Sequence, residues 1–189
     1  MKIVKIFLAS SVVEFKNERQ ELAAFVNSLN KICVRKDLYL EMKLCEDISS
    51  AVAMERKQNE YNECIRHSDY LLMLFGKSAG KYTIEEFDVA FKQFQAAGAP
   101  KIYIYFRQMP ESIGVEKSVI DFIKRLERQP GYPYSMFAHL DVIKFNLVMT
   151  LMRDGQLNCD MEFLNGRMLL DKNPVLHLEN VPAADRQEP

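Results

Sequence analysis

The sequence carries no surplus of either charge. Its 25 Lys and Arg face 26 Asp and Glu, a formal net charge of −1. No basic field is available to neutralise a phosphate backbone, so no direct nucleic-acid partner is expected. Long hydrophobic runs are missing too: none reaches the roughly 18 residues that a membrane-crossing helix requires. The apolar opening Ile3-Val4-Lys5-Ile6-Phe7-Leu8 is too short and too strand-like for a signal peptide. A cytoplasmic protein without a membrane partner is expected. Cysteine is sparse, with Cys33, Cys45, Cys64 and Cys159 far apart and no C-x-x-C pair; free thiols are expected and a zinc site is not. Cys64 and His67 share a helical face, but two ligands do not make a site. The three histidines, His67, His139 and His177, are isolated, and no G-x-S-x-G, P-loop or G-x-G-x-x-G occurs. Neither a metal nor a resident cofactor is expected.

What is present is a core-forming composition, 48% hydrophobic and 27% charged over 189 residues, which suits one domain of ordinary size with a small appendage. Ile3–Leu8 and Tyr70–Phe75 are nearly unbroken apolar runs, as expected of central strands covered on both faces. Leu38, Leu40, Met42 and Leu44 alternate with Tyr39, Glu41 and Lys43, which predicts a strand nearer an edge. Ile102–Phe106 and Tyr134–Phe137 complete five strands. Between them the spacing predicts helices over about 13–30, 54–67, 83–97, 115–128 and 140–153. In the first of these, Phe15, Leu22, Phe25, Val26 and Leu29 form the apolar face, and Lys16, Glu18, Arg19 and Glu21 the opposite one. Phe87, Phe91 and Phe94 are expected in the core, as are Leu140, Ile143, Leu147, Val148 and Leu151. Strands alternating with helices indicate an α/β fold with a mainly parallel sheet, helices on both faces and right-handed crossovers.

After Asp154-Gly155 the pattern changes. Leu157–Leu164, Arg167–Leu170 and Val175–Leu178, separated by Asn165-Gly166 and Asn173-Pro174, read as short hairpin strands. The expected organisation is a domain over 1–155, a β-hairpin-like extension over 156–181 and a tail or linker over 182–189.

In an open parallel sheet, ligands sit outside the carboxyl ends of the strands, where strand order reverses. The segments leaving those ends carry acids (Glu46, Asp47, Glu85, Glu86), small hydroxyls (Ser10, Ser11, Ser49, Ser50, Ser78) and aromatics (Phe75, Tyr82, Phe106). A carboxylate beside an aromatic shelf, with small polar residues to admit a sugar, suits glycosidic chemistry on a nucleotide. Thr83-Ile84-Glu85-Glu86 also fits a capping box, with Thr83 as N-cap and Glu86 three residues on. The two roles of Glu86 are compatible. Glu85 and Asp88 read as solvated partners on the same turn.

Four segments, in order, resemble the Toll/interleukin-1 receptor (TIR) domain family. Lys5-Ile6-Phe7-Leu8-Ala9-Ser10-Ser11 looks like its first strand, and Leu44-Cys45-Glu46-Asp47 like its second strand and the following acid. Ile65-Arg66-His67-Ser68-Asp69-Tyr70-Leu71-Leu72-Met73-Leu74-Phe75 is similar to its helix end, Ser-centred turn and third strand. Tyr82-Thr83-Ile84-Glu85-Glu86-Phe87-Asp88-Val89-Ala90 resembles the aromatic-x-x-x-Glu-apolar-x-x-Ala motif that opens the next helix. The likeness covers roughly residues 3–153 and is nearest to bacterial TIR-like domains at the N-terminus of immune and antiviral effectors. Tyr82 stands where many members have Trp, Phe75 where a small residue is usual, and Ser11-Val12 lacks the basic residues of some members.

The resemblance implies a flavodoxin-like TIR fold and cleavage of the nicotinamide–ribose bond of NAD+, a substrate rather than a cofactor, giving ADP-ribose or a cyclic isomer. It implies Glu86 as the catalytic carboxylate and Ser10, Ser11, Asp47, Phe75, Gly76, Lys77 and Tyr82 as substrate-facing residues. It further implies self-association through the 45–58 loop, filamentous in form, a role in antiphage defence, and a C-terminal sensor region or partner protein. Two other classes fit the same pattern: a non-enzymatic TIR-like adaptor, and a nucleoside deoxyribosyltransferase-like enzyme. A response-regulator-like domain needs a carboxylate cluster at the first strand end, where Ala9-Ser10-Ser11 has none.

Overall fold

The computed structural model of the chain describes residues 1–44, 54–128 and 132–182, with 54–58 described by backbone alone. The order is β1 (Lys2–Ser10), α1 (Lys16–Cys33), β2 (Leu38–Leu44), α2 (Met54–Arg66), β3 (Tyr70–Phe75), α3 (Lys81–Ala97), β4 (Lys101–Arg107), α4 (Lys117–Arg128), β5 (Tyr134–Phe137), α5 (Leu140–Arg153), β6 (Met161–Leu164), β7 (Arg167–Leu170) and β8 (Asn173–His177). The first five strands form one parallel sheet, order β2-β1-β3-β4-β5, flanked by helices; β6-β7-β8 form a separate antiparallel sheet. This is the α/β architecture expected, and β2 is indeed an edge strand. The order 2-1-3-4-5 is the flavodoxin-like one, which reverses direction between β1 and β3. None of the described helices is long and apolar enough to cross a membrane.

By internal contacts the chain divides into two compact units, Met1–Val4 with Gln20–Glu41 and Phe137–Pro189, and Lys5–Arg19 with Met42–Met136. The second unit holds the pairing of β1 with β3 (Ile6 opposite Tyr70 to Ser10 opposite Leu74) and of β3 with β4 (Tyr70 opposite Lys101 to Phe75 opposite Phe106). Phe7 and Ala9, Leu71, Met73 and Phe75, and Ile104 and Phe106 point to one face, where they meet Ile65, Phe87, Ala90, Phe122 and Leu126. Phe75 stacks on Phe106 at 5.2 Å between centroids and tilts against Phe122 at 4.9 Å, and Phe87 meets Phe122 edge-on at 5.3 Å. Such pairs add roughly 0.5–1.5 kcal/mol beyond their burial. Phe94 departs from the expected core stripe: it is 39% exposed, because it lies in the last turn of α3, past the end of this cluster.

In the first unit, Leu22, Phe25, Val26 and Leu29 of α1 are buried, as are Leu140, Ile143, Leu147, Val148 and Leu151 of α5. Asn165 and Gly166 have φ of 51° and 70°, the left-handed pair of a type I′ hairpin turn. The second hairpin turns at Asp171-Lys172 (φ 47° and 65°), not at the expected Asn173-Pro174. Asp171 is held there by accepting the Asp160 N–H at 2.9 Å and pairing with Lys36 at 2.8 Å. Pro174 instead falls in the edge strand β8, beside a register shift opposite Met168 and Leu169, where a missing N–H is tolerated.

One buried side chain seals an exposed strand. Asn30 of α1 donates through Nδ2 to the Leu40 carbonyl at 2.9 Å and accepts the Leu40 N–H through Oδ1 at 2.8 Å. Edge strands present such unpaired groups to solvent or to other chains; here an amide occupies both. Asn30→Ala leaves a buried donor and acceptor unmatched and is expected to lower unfolding free energy by about 2–4 kcal/mol, measured by urea denaturation.

Candidate active site

The elements that meet at the β1/β3 reversal are the β1–α1 turn, the β3–α3 loop and the start of α3. Ser11 closes the first turn: its Oγ accepts the Glu14 N–H at 3.2 Å, and its carbonyl accepts the Phe15 N–H at 3.0 Å. Glu14 then reaches across to the loop after β3, where its Oε1 accepts the Lys77 N–H at 2.6 Å. Gly76 is what lets it in. A Cβ there would stand 2.0 Å from Glu14 Oε1 and 3.1 Å from the Phe15 ring. Ser11, Gly76 and Lys77, all expected near substrate, are thus joined in one clasp through Glu14.

Ser10, the last residue of β1, is buried and has a different partner. Arg19 donates from Nη1 to the Ser10 Oγ at 2.7 Å and to the Ser10 carbonyl at 3.2 Å. Arg19 was expected on the solvated face of its helix. It is 0% exposed, the largest departure from the helical pattern. Its neighbours Lys16 and Glu18 retain access to water. Removing a cation from water costs several kcal/mol unless hydrogen bonds and opposite charge compensate.

Glu86, whose negative charge the Arg19 guanidinium favours, is 6% exposed in the second turn of α3. The helix starts three residues earlier than the capping box required: its N-cap is Gly80 (φ −64°, ψ 145°), with no side-chain cap bond. The Gly80 carbonyl accepts the Ile84 N–H at 3.1 Å, and the entry is anchored by Ala79 N–H donating to Ser118 Oγ at 3.1 Å. Thr83 lies within the first turn and Glu86 beyond it, so neither forms the box. Among the described residues no hydrogen bond or ion pair reaches the Glu86 carboxyl. Burial pushes it up to about 7, against the pull of the Arg19 guanidinium and with a further push from Glu85. Other buried polar side chains nearby in the chain are matched: Asn30 bonds Leu40, Ser10 bonds Arg19, and Ser68 donates to the Cys64 carbonyl at 2.7 Å; Gln156 Oε1 is buried without a partner. A desolvated, unpartnered carboxyl at a topological switch point is the pattern of a functional group.

The remaining expectations divide. Tyr82 is 58% exposed at the start of α3, available to stack rather than packed at the helix entry. Phe75 is 1% exposed within the core cluster, so its ring is no shelf for a ligand; β3 continues apolar through its last residue, and the chain turns only at Gly76. Asp88 keeps access to water, as expected, and also pairs with Arg125 of α4, whose guanidinium lies 5.4 Å from the Phe87 ring centre. Asp47 and the 45–53 part of the connector lie outside the described residues; 54–58 open α2. The chain matches no known family model and no curated protein. A cavity of about 380 Å³ belongs to the other unit, lined by Phe25, Asp141, Lys144, Arg167 and His177 among others; it holds none of the expected site residues.

Arg19 is the residue that sequence reasoning missed. Its signal is faint: four residues on from Phe15 and three before Leu22, it falls on the apolar stripe.

The Glu86 shift has a consequence for stability. Because its folded value lies above the ordinary carboxyl value of 4.5, the folded state binds the extra proton, and Glu86 destabilises the fold as pH rises from about 4.5 through 7. A shift of this size corresponds to about 3 kcal/mol at pH 8. Glu86→Gln is therefore expected to be more stable than the wild type at pH 8 by up to that amount, with the gap closing toward pH 4.5. Paired chemical-denaturation curves at the two pH values measure it.

Proposed function

We propose that this chain is a TIR-like NAD+ glycohydrolase that breaks the nicotinamide–ribose bond, with Glu86 as its catalytic carboxylate. The observation that carries the reading is the buried, unpartnered carboxyl beside the β1/β3 reversal. The ordered resemblance of four segments to the TIR family supports it, as does the flavodoxin-like strand order.

The chemistry asks for little more than such a group. Nicotinamide is a cationic leaving group and departs neutral without protonation. As the C–N bond stretches, positive charge moves onto the ribose, as in oxocarbenium-like transition states. An ionised Glu86 stabilises that charge, more strongly where water is excluded. It can also accept hydrogen bonds from ribose hydroxyls and hold the ring in a reactive position. Water attack on the ribosyl cation gives ADP-ribose; capture by the adenine of the same molecule gives a cyclic isomer. Tyr82 supplies an exposed ring for a base to stack on.

In this reading the protein acts in the cytoplasm of a bacterium, in antiphage defence. Head-to-tail association through the 45–58 loop completes the site, and such heterologous contacts build open filaments. The C-terminal β6-β7-β8 sheet marks the junction to a sensor region or partner protein.

Incubating concentrated protein with NAD+ and resolving products by chromatography tests the proposal. Nicotinamide release is expected, with specific activity that rises with protein concentration, and Glu86→Gln is expected to lower the rate by about 100-fold or more with unchanged circular dichroism. Equal rates in the two proteins reject Glu86. No release at any concentration favours the adaptor, and base exchange on deoxynucleosides with NAD+ untouched favours the deoxyribosyltransferase.

A further inference from the structure

The cleft of about 380 Å³ in the first unit is built around a buried ammonium. Lys144 of α5 is 8% exposed, a position where an unmatched charge costs several kcal/mol. Its Nζ donates to Glu21 Oε1 at 2.5 Å and to Asp141 Oδ1 at 2.9 Å. Asn180 Nδ2 donates to the other Asp141 oxygen at 2.9 Å. An ammonium has three N–H donors, and these bonds use two of them. The third meets no acceptor among the described residues, and the side chain lines the cleft.

The opposite wall adds positive charge without an acid to match it. Arg167 of β7 stands opposite His177 of β8. Just beyond them the Leu178 N–H donates to the Gly166 carbonyl at 2.8 Å. That marks Arg167 and His177 as a non-hydrogen-bonded pair, the kind that brings side chains closest. Both line the cleft, and among the described residues neither side chain has a hydrogen bond or an ion pair. A protonated His177 beside Arg167 is a like-charge pair, which repels, so an anion set between them relieves it. Asp141 is the acid of the lining, and Lys144 and Asn180 already occupy it. The rest of the lining is apolar: Phe25, Pro174, Val175 and Leu176.

We propose that this cleft binds a small organic anion. Arg167 and His177 take its carboxylate or phosphate head, and Lys144 offers its remaining donor from the floor. A compact apolar body lies against Phe25, Pro174, Val175 and Leu176. A cleft of this volume, with an apolar lining and a few convergent polar groups, is of the kind that holds small ligands. The guanidinium fork suits such a head because it meets two of its oxygens at once. The site is independent of Glu86 and of the glycohydrolase reading.

Nuclear magnetic resonance on the intact chain, with 13C-labelled histidine, tests the proposal. His177→Gln assigns the His177 signal against those of His67 and His139. Benzoate and phenyl phosphate present the two candidate heads on one apolar body, benzylammonium reverses the charge, and benzyl alcohol removes it. A saturable shift of the His177 signal is expected with at least one of the anions, at a Kd below about 1 mM. The tighter of the two identifies the head. Benzylammonium and benzyl alcohol are expected to leave the signal in place. Arg167→Gln, at an exposed strand position that the fold tolerates, is expected to weaken the anion about tenfold. The proposal is overturned if neither anion gives a saturable shift, if benzylammonium binds as well as the anions, or if Arg167→Gln leaves the affinity unchanged.

Discussion

Two side chains of opposite charge, Arg19 and Glu86, are withdrawn from water in the unit that pairs β1 with β3. Each is costly to bury, on the order of several kcal/mol, and burial pushes the Glu86 carboxyl up to about 7 against the pull of the Arg19 guanidinium. An arrangement of this kind persists only where the surrounding structure over-determines it. Here the determinants are visible: Ser10, paired with Leu74 at the end of β1, accepts from Arg19, and α3 carries Glu86 on a turn whose other members, Phe87 and Ala90, are locked into the core.

The core also sets where Glu86 sits. Phe75, Phe87, Phe106 and Phe122 contact one another across β3, α3, β4 and α4, which fixes α3 against the sheet and limits how far Glu86 can travel. The clasp of Glu14 over Gly76 and Lys77 does the same for the two loops that flank the reversal. A glycohydrolase would gain from both: preorganised charge needs no rearrangement as the sugar becomes cationic. The adaptor alternative uses the same fold for docking and gives no account of why a carboxyl should be buried without a partner.

Much of this was legible in advance, and the misses have physical causes. The strands at 3–8, 70–75 and 102–106 announce themselves because a strand covered on both faces must be apolar throughout, and the edge position of β2 follows from its alternation. The Asn165-Gly166 turn is equally plain, since both positions need φ above zero. Asp171-Lys172 is not, because side-chain bonds to Asp160 and Lys36 stabilise a turn that composition alone disfavours. Phe94 fits the period of a buried stripe, yet the layer it would pack into ends before it.

The candidate site shows the same division more sharply. Periodicity and motif order placed Ser10, Ser11, Gly76 and Lys77 at strand ends and loops and Glu86 near the start of a helix, because those positions depend on local chain geometry. They misassigned Thr83, Phe75 and Arg19. Whether Thr83 caps a helix depends on where the chain can turn, and Gly80, with Ala79 bonded to Ser118, lets it turn sooner. Whether Phe75 faces a ligand depends on the ring stacked against it. Arg19 looks like one more surface charge on an amphipathic helix until the chain folds and Ser10, nine residues before it, accepts its Nη1 hydrogen bonds. The hydrophobic pattern determined the strands, the helices and their alternation, which are properties of short stretches; the burial of a charge is decided by groups that meet only when distant stretches fold together.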